Sequence, residues 1–172
     1  MDVRIEHVKP MRVAFLRHIG PYDQCGSAWE KLMTWAAPRG MLGGGRLFLG
    51  ICHDDPEVTP RDKVRYDACV TVEEDFKTEG DIGVQEVAGG EYVVTTHLGP
   101  YNKLGDTYAR LFGQWLPQHG LEPALKPCFE VYLNDPESTE PEELITDIYV
   151  PLAGSAACEW HADTTLVRRD KP

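Results

Sequence analysis

The chain has 172 residues, 42% hydrophobic and 26% charged, with a formal net charge of −11 at pH 7. That length suits one compact domain or two small lobes sharing an interface, and the composition is ordinary for a globular protein. The acidic balance disfavours sequence-tolerant DNA binding, which rests on Lys and Arg neutralising phosphates, and it favours attraction of cations. No apolar run approaches the ~18 residues of a membrane span, and Met1-Asp2-Val3-Arg4 lacks the basic-then-apolar order of a signal peptide. Five cysteines without a Cys-x-x-Cys argue against a disulfide framework and a zinc site, so a reducing cytoplasm is the expected location.

In chain order, the alternation of Val3, Ile5 and Val8 predicts a strand, and Met11 to His18 a second extended run after Pro10. The phrase Arg17-His18-Ile19-Gly20-Pro21-Tyr22 closes that run and opens a helix, because proline pre-sets φ for a first helical turn. Trp29, Leu32, Met33 and Ala36 then fall at helical spacing on one stripe. Pro38 and Gly40 mark its end. Gly43-Gly44-Gly45 lacks the lysine of a phosphate-binding loop and reads as a connection. Arg46 to His53 and Tyr66 to Val72 form two strands around an acidic Asp-Pro loop. Asp54, Asp55, Glu57 and Asp62 in that loop match no EF-hand spacing, so the loop reads as a solvated hairpin.

The chain then repeats itself. Ile82, Val84 and Val87 precede Tyr92 to Thr96, with Gly89-Gly90 at the place of Pro10. Thr96-His97-Leu98-Gly99-Pro100-Tyr101 echoes the first phrase, and Tyr108, Leu111, Phe112 and Trp115 make a second helical stripe ending at Pro117 and Gly120. After a one-residue slip, Asp135-Pro136-Glu137 answers to Asp55-Pro56-Glu57 and Asp147 to Asp67. Strands follow at Cys128 to Leu133 and Ile145 to Leu152. The order strand, helix, strand, strand, twice, predicts an α+β fold, with helices on one face of antiparallel sheet and a ligand groove between pseudo-twofold-related lobes. The units run from about 1–80 and 81–152, and 153–172 reads as a tail that Trp160 pins to the body. The paired His18 and His97 are expected to bond backbone at the turn before each helix.

Function is sought where the copies differ. Strand parity sends Phe129, Val131 and Leu133 toward the helices, and Leu47, Leu49 and Ile51 with them. It sends Glu130 and Tyr132 the other way, together with Asp147 and Tyr149 of the last strand. On the repeat alignment Gly50 answers to Glu130 and Cys69 to Tyr149, so one lobe offers a carboxylate where its twin leaves volume empty. A lone Glu inside Cys-Phe-Glu-Val-Tyr-Leu is either solvated, paired with Arg65 or Arg46, or poised among aromatics for a cation or a proton.

These residues resemble the GyrI-like small-molecule-binding domain, also described as the AraC effector-binding or SbmC-like family. The likeness rests on the two Gly-Pro-Tyr phrases, Trp115-Leu116-Pro117 and Asp54-Asp55-Pro56. It also rests on Arg65-Tyr66-Asp67-Ala68-Cys69-Val70, Pro127 to Leu133 and Asp147 to Leu152, and spans about residues 2–152. It implies tandem SHS2-type repeats with a groove in which Glu130 meets cationic, aromatic ligands, Tyr149 being the matching tyrosine. Tyr132, Tyr66, Trp115, Phe48 and Gly50 complete the expected ligand-binding set. The expected function is a stand-alone binder of amphipathic, cationic organic compounds, without cofactor or metal. The alternatives are a hydrolase of strained or toxic small molecules using Glu130 and Tyr149, and a protein-interaction module acting on DNA gyrase. A separate regulator is a further partner the resemblance allows.

Overall fold

The computed structural model describes residues 1–154. Eight strands form one antiparallel sheet: β1 (Val3–Val8), β2 (Met11–Ile19), β3 (Phe48–Cys52), β4 (Arg65–Thr71), β5 (Gly83–Val87), β6 (Gly90–Leu98), β7 (Cys128–Tyr132) and β8 (Ile145–Pro151). Helix α1 (Gly26–Ala36) lies between β2 and β3. Between β6 and β7 the chain is helical through α2 (Leu104–Arg110), a π turn at Leu111–Trp115, and α3 (Leu116–Gln118). The expected strands are all present. The Trp160 contact lies outside the described residues.

The spatial order is β1-β6-β8-β7-β3-β4-β2-β5. Outward from the β3–β7 seam it reads β3-β4-β2-β5 on one side and β7-β8-β6-β1 on the other, so the repeat of the sequence is a repeat of the sheet. The outermost strands are exchanged. β1 pairs with β6, not with its neighbour β2, and β5 pairs with β2. The two links that make this exchange touch, since a β-carbon on Gly89 would lie 2.7 Å from Pro10 Cδ. The interruptions at Pro10 and Gly89-Gly90 are therefore crossing points as well as turns.

The core lies on both faces of the sheet. On one face Leu32, Ala28 and Ala36 of α1 pack on Ala14, Tyr66, Ala68 and Val70. Leu104, Leu111 and Leu116 of the second helical segment pack on Val93, Ile148 and Val150. On the other face the sheet curls over its own apolar side chains, burying Val13, Leu49, Ile51, Cys69, Val94, Phe129 and Val131. This corrects the expected direction of β3 and β7: Leu49, Ile51, Phe129 and Val131 point away from the helices. The alternation holds, but a curled sheet buries apolar residues without a helix layer, so hydrophobicity alone does not say which face the helices cover.

The second helix departs from its simple stripe. Leu111 and Leu116 are both buried although five residues apart, while Phe112 is 38% exposed. The π turn supplies the extra residue that keeps both leucines on the sheet and rotates Phe112 outward. Pro117 does not stop the helix, which runs on to Gln118. The stop is Gly120, at φ 63°, matched by Gly40 at φ 67° after α1. Each permits the left-handed turn that closes the preceding helix. The Leu121 amide reaches back to the Leu116 carbonyl and the Met41 amide to that of Ala36.

Candidate functional site

Glu130 sits on the seam. Its partner across the β3–β7 ladder is Gly50, so the two residues aligned by the repeat face each other. Its neighbour on β8 is Ile148, a residue of the helix-covered face. The carboxylate therefore lies beneath the helical layer, 6% exposed.

Three donors close around it. The Tyr132 hydroxyl donates to Oε2 at 2.7 Å, the Tyr108 hydroxyl of α2 to Oε1 at 3.0 Å, and the Cys52 thiol lies 3.8 Å from Oε1. Behind Tyr132 the bonds run in one direction. The Trp29 indole of α1, which can only donate, reaches the Tyr66 hydroxyl at 2.9 Å. Tyr66 lies 2.7 Å from the Tyr132 hydroxyl. Tyr132 spends its own proton on Glu130, so Tyr66 is the donor to Tyr132. The relay Trp29, Tyr66, Tyr132, Glu130 ties the carboxylate to α1, and Tyr108 ties it to α2.

The aromatic surround is dense. Trp29 and Tyr101 each meet the Tyr132 ring edge-on at 5.4 Å. Tyr22 meets Tyr66 edge-on at 5.9 Å. Tyr22 and Tyr101 are the tyrosines of the two Gly-Pro-Tyr phrases, brought there by the turns before the helices. His18 and His97 support those turns as expected: their Nε2 groups lie 2.9 and 3.3 Å from the Pro21 and Pro100 carbonyls. His97 also bonds the Thr107 hydroxyl through Nδ1 at 2.8 Å.

No Lys, Arg or His side chain pairs with Glu130 among the described residues. Arg65 is held by Asp54, and Arg46 by Glu73 and the Thr71 carbonyl. Burial pushes the Glu130 carboxyl above its ordinary value, although the bonds from Tyr132, Tyr108 and Cys52 pull the other way. The phenols of Tyr66, Tyr108 and Tyr132 are pushed well up by burial and then by Glu130 itself, so they remain neutral donors.

Two expectations require correction. Gly50 does not leave volume empty: a β-carbon there would lie 2.2 Å from the Tyr66 hydroxyl and 2.7 Å from that of Tyr132. The glycine makes room for phenols, not for a cleft. Tyr149 does not share a face with Glu130. Its ring stacks on Phe129 at 4.5 Å and meets Tyr92 edge-on on the opposite face of the sheet. Adjacent residues of one strand point opposite ways, and Tyr149 is registered with Phe129.

Of the remaining candidates, Tyr66 and Tyr132 belong to the cage. Phe48 is the cross-strand partner of Tyr132 and packs in the α1 cluster. Trp115 packs in the α2 cluster, stacked on His119 at 3.9 Å. The residues missed are Tyr108, Trp29 and Cys52. Tyr108 and Trp29 were visible as members of the helical stripes, but nothing in the spacing distinguished a core aromatic from one whose polar tip turns to the carboxylate, as in Tyr108, or to a phenol beside it, as in Trp29.

Fold and site together define a class: an α+β module on one curled antiparallel sheet, covered by two helical segments, with a caged carboxylate at its centre. The chain belongs to the family of the GyrI-like small molecule binding domain, whose model matches residues 1–153. It is 33% identical over 140 residues to a DNA gyrase inhibitor of Enterobacter lignolyticus, covering 78% of this chain and 87% of that protein. In fold it resembles the EcmrR C-terminal domain, with TM-score 0.69 and 21% identity, covering 88% of this chain and 97% of the other. It likewise resembles SAV2435 bound to tetraphenylphosphonium, with TM-score 0.60 and 18% identity over 90% of this chain and 95% of that one.

Proposed function

We propose that this chain is a binding module for amphipathic organic cations, with Glu130 as the anionic contact and Tyr66, Tyr108, Tyr132 and Trp29 as the aromatic wall. The observation that carries the reading is the carboxylate buried among aromatics without a cationic partner among the described residues. A buried charge without a counter-ion is costly, and an entering cation offsets that cost. Aromatic faces add about 0.5–2 kcal/mol for a cation seated over them. The relative bound to tetraphenylphosphonium supports the same ligand class.

The test is calorimetry with tetraphenylphosphonium and with a neutral tetraphenyl analogue. In Glu130→Gln the cation should lose about tenfold or more in affinity, equivalent to ~1.4 kcal/mol, while the neutral compound binds as before. Equal weakening of both would remove the charge as the determinant. A hydrolytic role would have to pair Glu130 with Tyr108 or Tyr132, since Tyr149 lies on the other face.

A second reading is favoured by the relatives named as gyrase inhibitors. On it, the acidic surface docks on DNA gyrase and lowers supercoiling. That effect should weaken with salt and persist in Glu130→Gln. No inhibition at micromolar protein would exclude it.

A further inference from the structure

We propose that Cys52 and Cys128 form a dithiol site that hydroperoxides oxidise to a disulfide, joining the two halves of the sheet beside Glu130. The two cysteines are direct partners on the last rung of the β3–β7 ladder. Directly opposed residues of an antiparallel pair have Cα atoms about 4.5 or 5.5 Å apart. Both separations fall within the ~4.4–6.8 Å that disulfides require. Cross-strand partners also share a face, so both thiols lie on the helix-covered side. Cys52 packs in the α1 cluster and Cys128 in the α2 cluster. Among the described residues both are free and only partly exposed, whereas Cys69 is fully buried on the opposite face.

The chemistry balances with hydrogen peroxide as oxidant. The Cys128 thiolate attacks one peroxide oxygen, the O–O bond breaks, and the other oxygen leaves as water after taking a proton. The Cys52 sulfur then attacks the sulfenic sulfur of Cys128. The S–S bond forms, the S–O bond breaks, and a second water departs with the Cys52 proton. Two thiols lose two electrons, and the peroxide gains them. Cys128 is the attacking group because a Cys52 thiolate would lie against the carboxylate of Glu130, 3.8 Å away. Burial, and then Glu130, push the Cys128 thiol up to about 12, so its thiolate is scarce at neutral pH and the oxidation is slow there, quickening as pH rises. Oxidation also removes the thiol donor from Glu130, a consequence for ligand binding that rests on the small-molecule reading above.

The experiment treats the full chain with hydrogen peroxide at mildly alkaline pH, alkylates remaining thiols and maps peptides without reduction. The expected product links the Cys52 and Cys128 peptides, with a mass loss of about 2 Da that dithiothreitol reverses. The oxidised protein should melt at higher temperature, since the bond closes a long loop of chain. Cys128→Ser should abolish the link, and the wild-type map stands even where that variant folds poorly. Linkage of either cysteine elsewhere, or both remaining free thiols, would overturn the proposal. Tetraphenylphosphonium should bind the oxidised protein with an affinity changed several-fold, and unchanged affinity would overturn the coupling to Glu130. Failure of the cation to bind either form would instead count against the function, leaving the peptide map to decide the disulfide.

Discussion

Gly50 and Glu130 occupy equivalent places in the two halves and face each other, yet their demands are opposite. The glycine is required because two phenols fill the space beside it, with 2.2 Å left between a hypothetical β-carbon and the Tyr66 hydroxyl. Gly50→Ala must push Tyr66 and Tyr132 aside in a packed layer, an overpacking that costs about 1–3 kcal/mol. A lower urea midpoint with unchanged slope would register it. Glu130 carries a pH signature of its own. Its carboxyl is raised by burial, so the folded state holds a proton that the unfolded state has released. Stability therefore falls as pH rises from the ordinary carboxyl value through the raised one. Glu130→Gln lacks that loss, so its melting temperature measured relative to wild type should rise between pH 4 and pH 8; a difference that does not change with pH would contradict the raised carboxyl.

At the scale of elements, the strands of the first half are tied by Asp67 of β4, which is fully buried. Arg17 of β2 grips both of its oxygens at 2.8 and 2.9 Å, and His53 and Gln85 each lie 2.7 Å from Oδ2. Burial alone would raise this carboxyl, but Arg17, His53 and Gln85 together hold it at about 2. The stabilisation is thus present above the ordinary aspartate value and lost as pH falls toward 2. Asp67→Asn should cost about 1.5–3 kcal/mol at neutral pH, the range for hydrogen bonds to charged groups. The difference from wild type should close in acid. The equivalent Asp147 is bonded by Arg4 and Thr96. Its Arg4 comes from β1, so the same aspartate performs its tie across the strand exchange.

For the whole molecule, the exchange makes the halves interdependent. β1 completes the edge of the second half by pairing Val3–Val8 with β6, and β5 completes the first by pairing with β2. A fragment of residues 1–80 lacks β5 and the β7 side of the seam, and exposes unpaired strand edges. Neither 1–80 nor 81–154 should fold alone by circular dichroism. Mixed together from denaturant, they should recover sheet signal and a cooperative melt. Two independently folding halves would contradict the continuity of the sheet.

Much of this architecture is local in origin and was legible in the residues. Alternation marked the strands, Gly-Pro-Tyr marked the helix starts, and the repeated phrase marked the internal symmetry. The paired histidines were readable because their bonds close within three residues. Glu130 stood out because a carboxylate in an apolar strand demands an explanation. The outcome of that demand was not local. Which face the helices cover depends on the curl of the sheet, and which strand β1 joins depends on a crossing between Pro10 and Gly89. Tyr108 reaches Glu130 directly, and Trp29 and Tyr66 through Tyr132, only after two helices and the seam have converged. The sequence by itself determined the elements and their duplication, since those follow from backbone preference and periodicity. Only the tertiary structure decided that Glu130 lies caged beneath the helices and Tyr149 on the far face, because a side chain's partners are set by register and packing between distant segments.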